Sequence, residues 1–225
     1  MSEPLNGDLT ARIVVEADTL PWTASPSRTV WRRRLHHVGP AESGQVTSLV
    51  RYQPGSAFPT HDHPDGEEIF VLEGVFSDEH GDWPAGTYLL NPEGFRHAPF
   101  SREGCLLFVK LRQFPGRDRR HVAIDTRTMP WAKESGRELK PLYSQEGYTD
   151  RTRLERWLPD APPAERGYPL GAELLVLGGS FQDEHGRYGP HTWLRVPPQF
   201  RHRPSTAAGC ELYVKEGGFA YLAKP

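Results

Sequence analysis

Cysteine is scarce in this sequence, with only Cys105 and Cys210 among 225 residues. No Cys-x2-Cys pair occurs, which excludes a thiolate zinc site and a disulfide framework as organising features of the fold. Each cysteine follows a glycine and precedes a short apolar run, so we expect both to be small buried side chains.

Long apolar runs and a dominant charge sign are also missing. No run approaches the roughly 18 residues that span a bilayer, and the first residues, MSEPLNGDLTARIVV, lack the basic start and apolar core of a signal peptide. The net charge is −2, from 27 basic and 29 acidic residues. We therefore expect a cytoplasmic protein that binds neither nucleic acid nor membrane.

Glycine and proline, by contrast, are abundant, with 22 of each spread along the chain. A hydrophobic fraction of 36% and a charged fraction of 25% are typical of a globular protein. Short runs rich in Val, Leu and Phe, bounded by these residues, predict an all-β fold with many short strands and tight turns.

The chain contains an internal duplication. The segment GEEIFVLEGVFSDEHGDW from Gly66 matches GAELLVLGGSFQDEHGRY from Gly171, and the same offset of 105 relates NPEGFRHAP to VPPQFRHRP. LPW at 20–22 and MPW at 129–131 are offset by 109. We therefore predict two domains, at 1–125 and 126–225, joined through a linker without clear strand pattern at about 112–140.

A set of metal-ligating residue types stands in the first repeat. His61 and His63 are two apart, so on a strand both side chains point to one face. A carboxylate, Glu67 or Glu68, follows, and His97 comes after a turn shaped by proline and glycine. Three imidazoles and a carboxylate suit one divalent ion, such as Zn, Fe or Mn, without choosing among them.

The duplication distinguishes the two glutamates. Glu67 aligns with Ala172, whereas Glu68 aligns with Glu173. Adjacent strand residues face opposite sides, so only one of them can face the metal. Because Glu67 is replaced together with the histidines, we assign the metal to His61, His63, Glu67 and His97, and a shared structural role to Glu68 and Glu173.

Two motifs carry a family resemblance. Gly55-x5-His61-x-His63-x3-Glu67-x6-Gly74 resembles the first cupin motif, and Gly86-x5-Pro92-x-Gly94-x2-His97 resembles the second. The resemblance implies two tandem cupin domains, each a jelly-roll β-barrel, with the metal inside the mouth of the first. Within the cupins, the segment from Gly66 to Pro92 looks most like the ChrR-type cupin domain of anti-sigma factors. It is also similar to small cupin dioxygenases that act on diketone-like substrates.

The second repeat keeps one of the four ligands, His202. Arg166 and Tyr168 take the places of the first two histidines. We therefore expect no metal there and a degenerate, structural domain, with a metal-free pocket lined by Arg166 and His202 as an open alternative. His80 and His185 recur in both repeats and are interpreted as turn residues, whereas the adjacent His36 and His37 are expected to be exposed.

Two functions follow from the site. The first is a metal-dependent dioxygenase acting on a small, oxygen-rich, diketone-like substrate; Glu67 would be an addition to the histidine-only iron sites of the enzymes it resembles. The second is a sensing or binding module with zinc and no catalysis, and a purely structural zinc is a third option. An anti-sigma factor of the ChrR type also needs a His-x3-Cys-x2-Cys signature, so we do not expect direct control of a sigma factor. We expect a small-molecule partner and a monomer or homodimer.

Overall fold

The computed structural model describes residues 3–161 and 164–223, and the all-β prediction is confirmed. The described residues form two compact units. Unit 1 comprises residues 3–7, 20–128 and 221–223, and unit 2 comprises residues 8–19 and the described part of 129–220.

The strands are short and follow one another closely, as the spacing of glycine and proline predicts. The first thirteen are β1 Ile13–Glu16, β2 Thr23–Ala24, β3 Val30–Val38, β4 Gln45–Tyr52, β5 Ser56–Ala57, β6 His61–His63, β7 Glu67–Asp78, β8 Gly81–Pro84, β9 Thr87–Asn91, β10 Phe95–His97, β11 Phe100–Ser101, β12 Cys105–Leu111 and β13 Val122–Asp125. The others are β14 Ala132–Glu134, β15 Arg137–Tyr143, β16 Arg151–Trp157, β17 Arg166–Tyr168, β18 Ala172–Gly179, β19 Phe181–Asp183, β20 Gly186–Tyr188, β21 Thr192–Val196, β22 Phe200–His202 and β23 Cys210–Glu216. Three single-turn 3-10 helices lie at Ala17–Thr19, Thr126–Thr128 and Gly218–Tyr221.

Unit 1 is built on one main sheet with the strand order β13-β9-β7-β12-β4-β3-β2, and on smaller pairings of β6 with β10 and of β5 with β11. Its core side chains alternate along the strands, as the two-residue period of a strand requires. Cys105, Leu107 and Val109 on β12 join Ile69 and Val71 on β7 in a single buried cluster. The prediction that Cys105 is buried is confirmed, and Cys210 is likewise buried in the core of unit 2.

The long strand β7 pairs with different strands along its length. Its first half pairs with β9 and its last four residues pair with β8. Gly74, with φ of +71°, lies where the strand changes partners, and a Cβ there would collide with the Gly104 carbonyl oxygen. Only glycine fits this approach. The bend carries Asp78, at the end of β7, toward β10.

Unit 2 repeats this topology, with the order β1-β21-β18-β23-β16-β15-β14 and separate pairings of β17 with β22 and β19 with β20. Strands β17, β21, β22 and β23 stand 105 residues after β6, β9, β10 and β12. The duplication inferred from the sequence is therefore a duplication of structure.

The two compact units do not divide the chain at a single residue. Unit 1 continues to residue 128, and residues 8–19 belong to unit 2. Strand β1 pairs with β21, and β13, the corresponding strand before the MPW segment, pairs with β9. The edge strand of each unit therefore comes from the start of the other repeat.

Two local expectations are wrong. The segment at about 112–140, expected to have no clear strand pattern, contains β13, β14 and the start of β15. His36 and His37 are buried, because β3 is covered along its last residues: His36 Nδ1 lies 3.1 Å from the Asn6 carbonyl oxygen, and His37 Nε2 lies 3.1 Å from that of Pro40. In residues 3–161 and 164–223 no helix has the length and apolar character needed to cross a membrane.

Candidate metal centre

The pairing of two three-residue strands brings the predicted histidines together. In the antiparallel register of β6 with β10, His61 lies opposite His97 and His63 lies opposite Phe95. The His63 carbonyl oxygen accepts hydrogen bonds from the backbone amides of Gly66 (3.1 Å) and Gly94 (3.0 Å). Through these two hydrogen bonds, the carbonyl connects the turn after β6 with the turn before β10.

The three imidazoles converge on one point. Their candidate ligand atoms all lie within 4.8 Å of one another. His63 Nε2 and His97 Nε2 are 2.9 Å apart, and the Glu67 carboxylate oxygen Oε2 lies 3.5 Å and 3.6 Å from them. Glu67 thus borders two of the three histidines, and its part in binding an ion remains a prediction.

The tautomers of two of these histidines follow from their outer partners. His97 Nδ1 lies 3.1 Å from the Asp78 carboxylate, and His61 Nδ1 lies 2.9 Å from the Pro59 carbonyl oxygen. Since both partners are acceptors, Nδ1 carries the proton in each ring and Nε2 is left with a lone pair. Such outer hydrogen bonds orient metal-binding imidazoles in proteins.

This donor set fits a divalent ion. His63 Nε2 and His97 Nε2 face each other at 2.9 Å, an approach that requires a proton or a cation between or beside them. Two ligand atoms each about 2.1 Å from one ion lie roughly 3.0 Å apart at a right angle and about 3.4 Å apart at the tetrahedral angle. The distances among His63, His97 and Glu67, which are 2.9, 3.5 and 3.6 Å, lie close to these two values.

Burial and the nearby carboxylates shift the pKa values of His63 and His97 in opposite directions. Burial lowers the pKa of His63, with the neighbouring imidazoles acting in the same direction and the Glu67 charge opposing them. Burial would also lower the pKa of His97, but the hydrogen bond to Asp78 and the Glu67 charge outweigh it and raise that pKa. His63 is therefore neutral and ready to bind a metal, and the negative charge around His97 favours a cation.

Glu68 has the structural role that the duplication predicts for it. Its Oε1 accepts a 2.6 Å hydrogen bond from the Tyr88 hydroxyl, and Glu173 Oε2 accepts a 3.1 Å bond from the Trp193 indole in unit 2. Both pairs are buried. Glu67 instead accepts a 2.9 Å bond from the Asn91 side-chain amide beside the histidines.

A cavity of about 460 Å³ opens onto the three histidines, all within unit 1. Its walls are mainly apolar and include Tyr52, Phe58, Ile69 and Leu107. Burial, followed by the charge of Glu67, raises the pKa of Tyr52 well above its usual value, so its phenol is a neutral hydrogen-bond donor. The lining also includes charged residues, among them Arg112, which follows directly after β12.

Asp78 belongs to the candidate site, although the sequence pattern does not single it out. It belongs to the DEHG segment interpreted as a turn, and its Oδ1 does accept turn hydrogen bonds from the amides of His80 (2.9 Å) and Gly81 (3.2 Å). Its second oxygen binds His97. The duplication contains a signal for this contact, because Asp78 has a counterpart in Asp183, 105 residues later, which binds His202 Nδ1 at 2.8 Å.

In unit 2 the corresponding residues do not form a metal group. Arg166 lies opposite His202 in the register of β17 with β22. The buried Nε2 of His202 has no hydrogen-bond partner in the part of the chain that the structure describes. Among those residues, the cluster of His61, His63 and His97 is the group of three or more metal-ligating side chains found.

The family model of the ChrR cupin-like domain matches residues 10–115 and again residues 119–220. This chain belongs to the ChrR cupin-like domain family. The two matches cover most of the sequence and correspond to the two repeats, so the prediction of two tandem cupin domains is confirmed. A comparison with the curated proteins gives no match.

Solved structures share the cupin fold at low sequence identity. A candidate dioxygenase from Nostoc punctiforme is 18% identical, with a TM-score of 0.75 over 91% of this chain and 82% of that one. The Ylba protein of E. coli is 14% identical, with a TM-score of 0.70 over 94% and 93%. A mutant of oxalate decarboxylase from Bacillus subtilis is 12% identical, with a TM-score of 0.66 over 95% and 78%. At these identities the likeness shows the fold alone.

Proposed function

We propose that unit 1 of this ChrR-like cupin holds one divalent ion through His61, His63 and His97, with Glu67 as a fourth ligand, and acts as a metal-dependent dioxygenase. The observation that carries the proposal is the convergence of three imidazoles at the end of an apolar cavity. A purely structural ion has no need of a cavity of about 460 Å³ beside it.

The cavity limits the substrate class. Its apolar walls suit a small molecule with a hydrocarbon body, and the metal end suits a head group with two oxygen atoms, as in a β-diketone. Bound at this site, a divalent ion would supply Lewis acidity and coordination positions for such oxygens. The Tyr52 phenol, kept neutral by burial, is the wall residue able to donate a hydrogen bond to a substrate oxygen.

The protein residues have separate tasks in this scheme. Asp78 keeps the proton of His97 on Nδ1, and the Pro59 carbonyl does the same for His61, so both Nε2 atoms stay available. Asn91 fixes the Glu67 carboxylate beside His63 and His97. Phe58 and Ile69 contribute apolar side chains to the cavity wall, which suit the hydrocarbon part of a substrate.

A second candidate function is a binding module that senses a small molecule and carries zinc without catalysis. The family match to the ChrR cupin-like domain favours it. Glu67 favours it too, because three histidines and a carboxylate can close a tetrahedral zinc site, whereas six-coordinate iron or manganese would keep open positions.

The nature of the metal distinguishes the two candidates. The protein is purified anaerobically without a metal-affinity tag and analysed for metals beside His61→Ala, with His202→Ala as the matched control in unit 2. Stoichiometric iron or manganese that is lost in His61→Ala and kept in His202→Ala supports the dioxygenase. Stoichiometric zinc with the same pattern supports the binding module, and absence of metal from the wild type overturns both.

Oxygen uptake then tests the reaction itself. Iron-loaded protein is mixed with acetylacetone, and dissolved oxygen is followed with an electrode. Consumption that depends on both the substrate and His61 supports the dioxygenase, whereas fully loaded protein without uptake contradicts it for this substrate class. We further propose a cytoplasmic location, which the two buried unpaired cysteines favour, and a monomer or homodimer.

A further inference from the structure

Unit 2 has a cavity of its own, which is lined in part by the counterparts of His61 and His63. The cavity has a volume of about 480 Å³, and its lining includes Arg137, Arg151, Arg153, Arg166 and Tyr168. All of these residues lie in unit 2. Four arginines around one concave site are unusual in a chain whose net charge is −2.

Two of the arginines are neutralised and held in place by the fold. The buried Glu155 carboxylate binds Arg137 at 3.0 Å and Arg153 at 2.7 Å, and it also accepts a 2.7 Å bond from the Trp157 indole. Arg153 binds Glu216 in addition, at 3.3 Å. These two guanidinium groups therefore form a fixed wall with little surplus charge.

Arg166 differs from both. It is half-buried and forms no hydrogen bond or ion pair with any residue in the ranges 3–161 and 164–223. Burial, and next the positive charge of Arg137, lower its pKa, while Glu155 opposes them from a distance. A half-buried cation beside other cations is costly unless an anion compensates it.

A second unpaired donor stands beside Arg166. Tyr168 is 3% exposed, lies two residues further along β17, and lines the same cavity. Its hydroxyl forms no hydrogen bond with the described residues. Burial, and then the charge of Glu155, raise its pKa, so the hydroxyl stays protonated and can donate.

The duplication shows how the two units differ at the matching positions. Arg166 and Tyr168 occupy the positions of His61 and His63, and Ala172 occupies that of Glu67. Where unit 1 has two candidate metal-binding imidazoles, unit 2 has donors suited to an anion, and where unit 1 has a carboxylate that would repel an anion, unit 2 has a methyl group.

We propose that the cavity of unit 2 binds a small carboxylate, with the Arg166 guanidinium as its bidentate partner and the Tyr168 hydroxyl as a further donor. A planar guanidinium matches the two oxygens of a carboxylate. Glu165 and Glu216 also line the cavity and limit its positive charge, which favours a singly charged head group over a phosphate dianion. This binding site is independent of the metal and of the function proposed for unit 1.

The test is an NMR titration of the full-length, metal-containing protein with butyrate, with neutral butyramide and inorganic phosphate titrated separately. Backbone amide shifts around β17 and the Arg166 side-chain Nε–H report on unit 2, and shifts around β6 report on the metal end of unit 1. The variants are Arg166→Gln and Tyr168→Phe. The matched control is Arg187→Gln, an exposed arginine of unit 2 that lies outside the cavity lining.

We expect butyrate to shift the β17 amides and butyramide to leave them unchanged. Arg166→Gln should weaken binding by roughly tenfold or more, Tyr168→Phe should weaken it less, and Arg187→Gln should not alter it. Equal binding of butyramide, unchanged binding in Arg166→Gln, or equal losses in Arg166→Gln and Arg187→Gln would each overturn the proposal. A response to phosphate alone, or shifts confined to β6, would overturn it as well.

Discussion

His97 Nδ1 lies 3.1 Å from Oδ2 of Asp78, and the same relationship recurs 105 residues later between His202 and Asp183, at 2.8 Å. Unit 2 has kept the imidazole and its carboxylate partner, although the other metal-ligating residues have been replaced. The pair therefore contributes to the fold in both units, and in unit 1 it also orients a candidate ligand.

This pair supplies a matched test of the metal site. Asp78→Asn should weaken metal binding by about 10-fold to 100-fold, because the amide no longer fixes the His97 tautomer or adds negative charge. Asp183→Asn makes the same change in unit 2 and should leave metal affinity unaltered. Competition with a chromophoric chelator measures both. Equal losses in the two variants would mean that the effect is a general loss of folding.

The adjacent glutamates give a second prediction. Glu67→Gln should reduce metal affinity, because a neutral amide replaces the carboxylate 3.5 Å and 3.6 Å from the two imidazole Nε2 atoms. Glu68→Gln should leave metal affinity near that of the wild type while lowering the free energy of unfolding by about 1–3 kcal/mol, since the Tyr88 hydroxyl loses a charged partner. Metal titration and urea denaturation measure the two effects. The reverse pattern would make Glu68 the ligand.

Removal of the metal should lower thermal stability. An ion present at 100 times its Kd stabilises the folded state by about 2.7 kcal/mol, which corresponds to a Tm decrease on the order of 10 °C on chelation. Differential scanning calorimetry with and without EDTA measures this change. His97→Ala should respond to EDTA little or not at all, whereas His202→Ala should respond as the wild type does. A wild type that is insensitive to EDTA would contradict metal binding.

Acid stability should depend on Glu155. Burial raises the pKa of this carboxyl, but the charges of Arg153 and Arg137 and the hydrogen bond from Trp157 outweigh it, so the folded-state pKa lies below the ordinary 4.5. Its contribution to stability is therefore complete above pH 4.5 and is lost as the pH falls through the lowered folded-state value.

Urea denaturation of the wild type and of Glu155→Gln between pH 6 and pH 3 tests this expectation. The free energy of unfolding of the variant should be lower at pH 6, and it should fall less steeply below pH 4.5, where the wild type takes up a proton on unfolding. Glu138→Gln, which removes one of the two carboxylate partners of Arg156 on the same pair of strands, serves as a control and should retain the steep dependence. Parallel curves for the wild type and Glu155→Gln would contradict the prediction.

Much of the candidate site could be predicted because its histidines follow a local sequence pattern. His61 and His63 share a strand face by parity alone, and the distance from them to His97 along the sequence follows a motif. The comparison of two repeats added the choice between Glu67 and Glu68, which no single repeat contains. Asp78 was missed because its turn role explains its recurrence without any contact to His97, and only the bend at Gly74 reveals that contact.

The sequence by itself determined the all-β fold, the duplication and the three histidines, because strand parity, turn residues and motif spacing are local properties. The tertiary structure decided what depends on long-range pairing. It placed β1 against β21 and β13 against β9, buried His36 and His37, and left Arg166 unpaired beside Tyr168 among the described residues. A sequence shows which side chains can bind a metal or an anion, but partners and burial are fixed only when distant strands come into register.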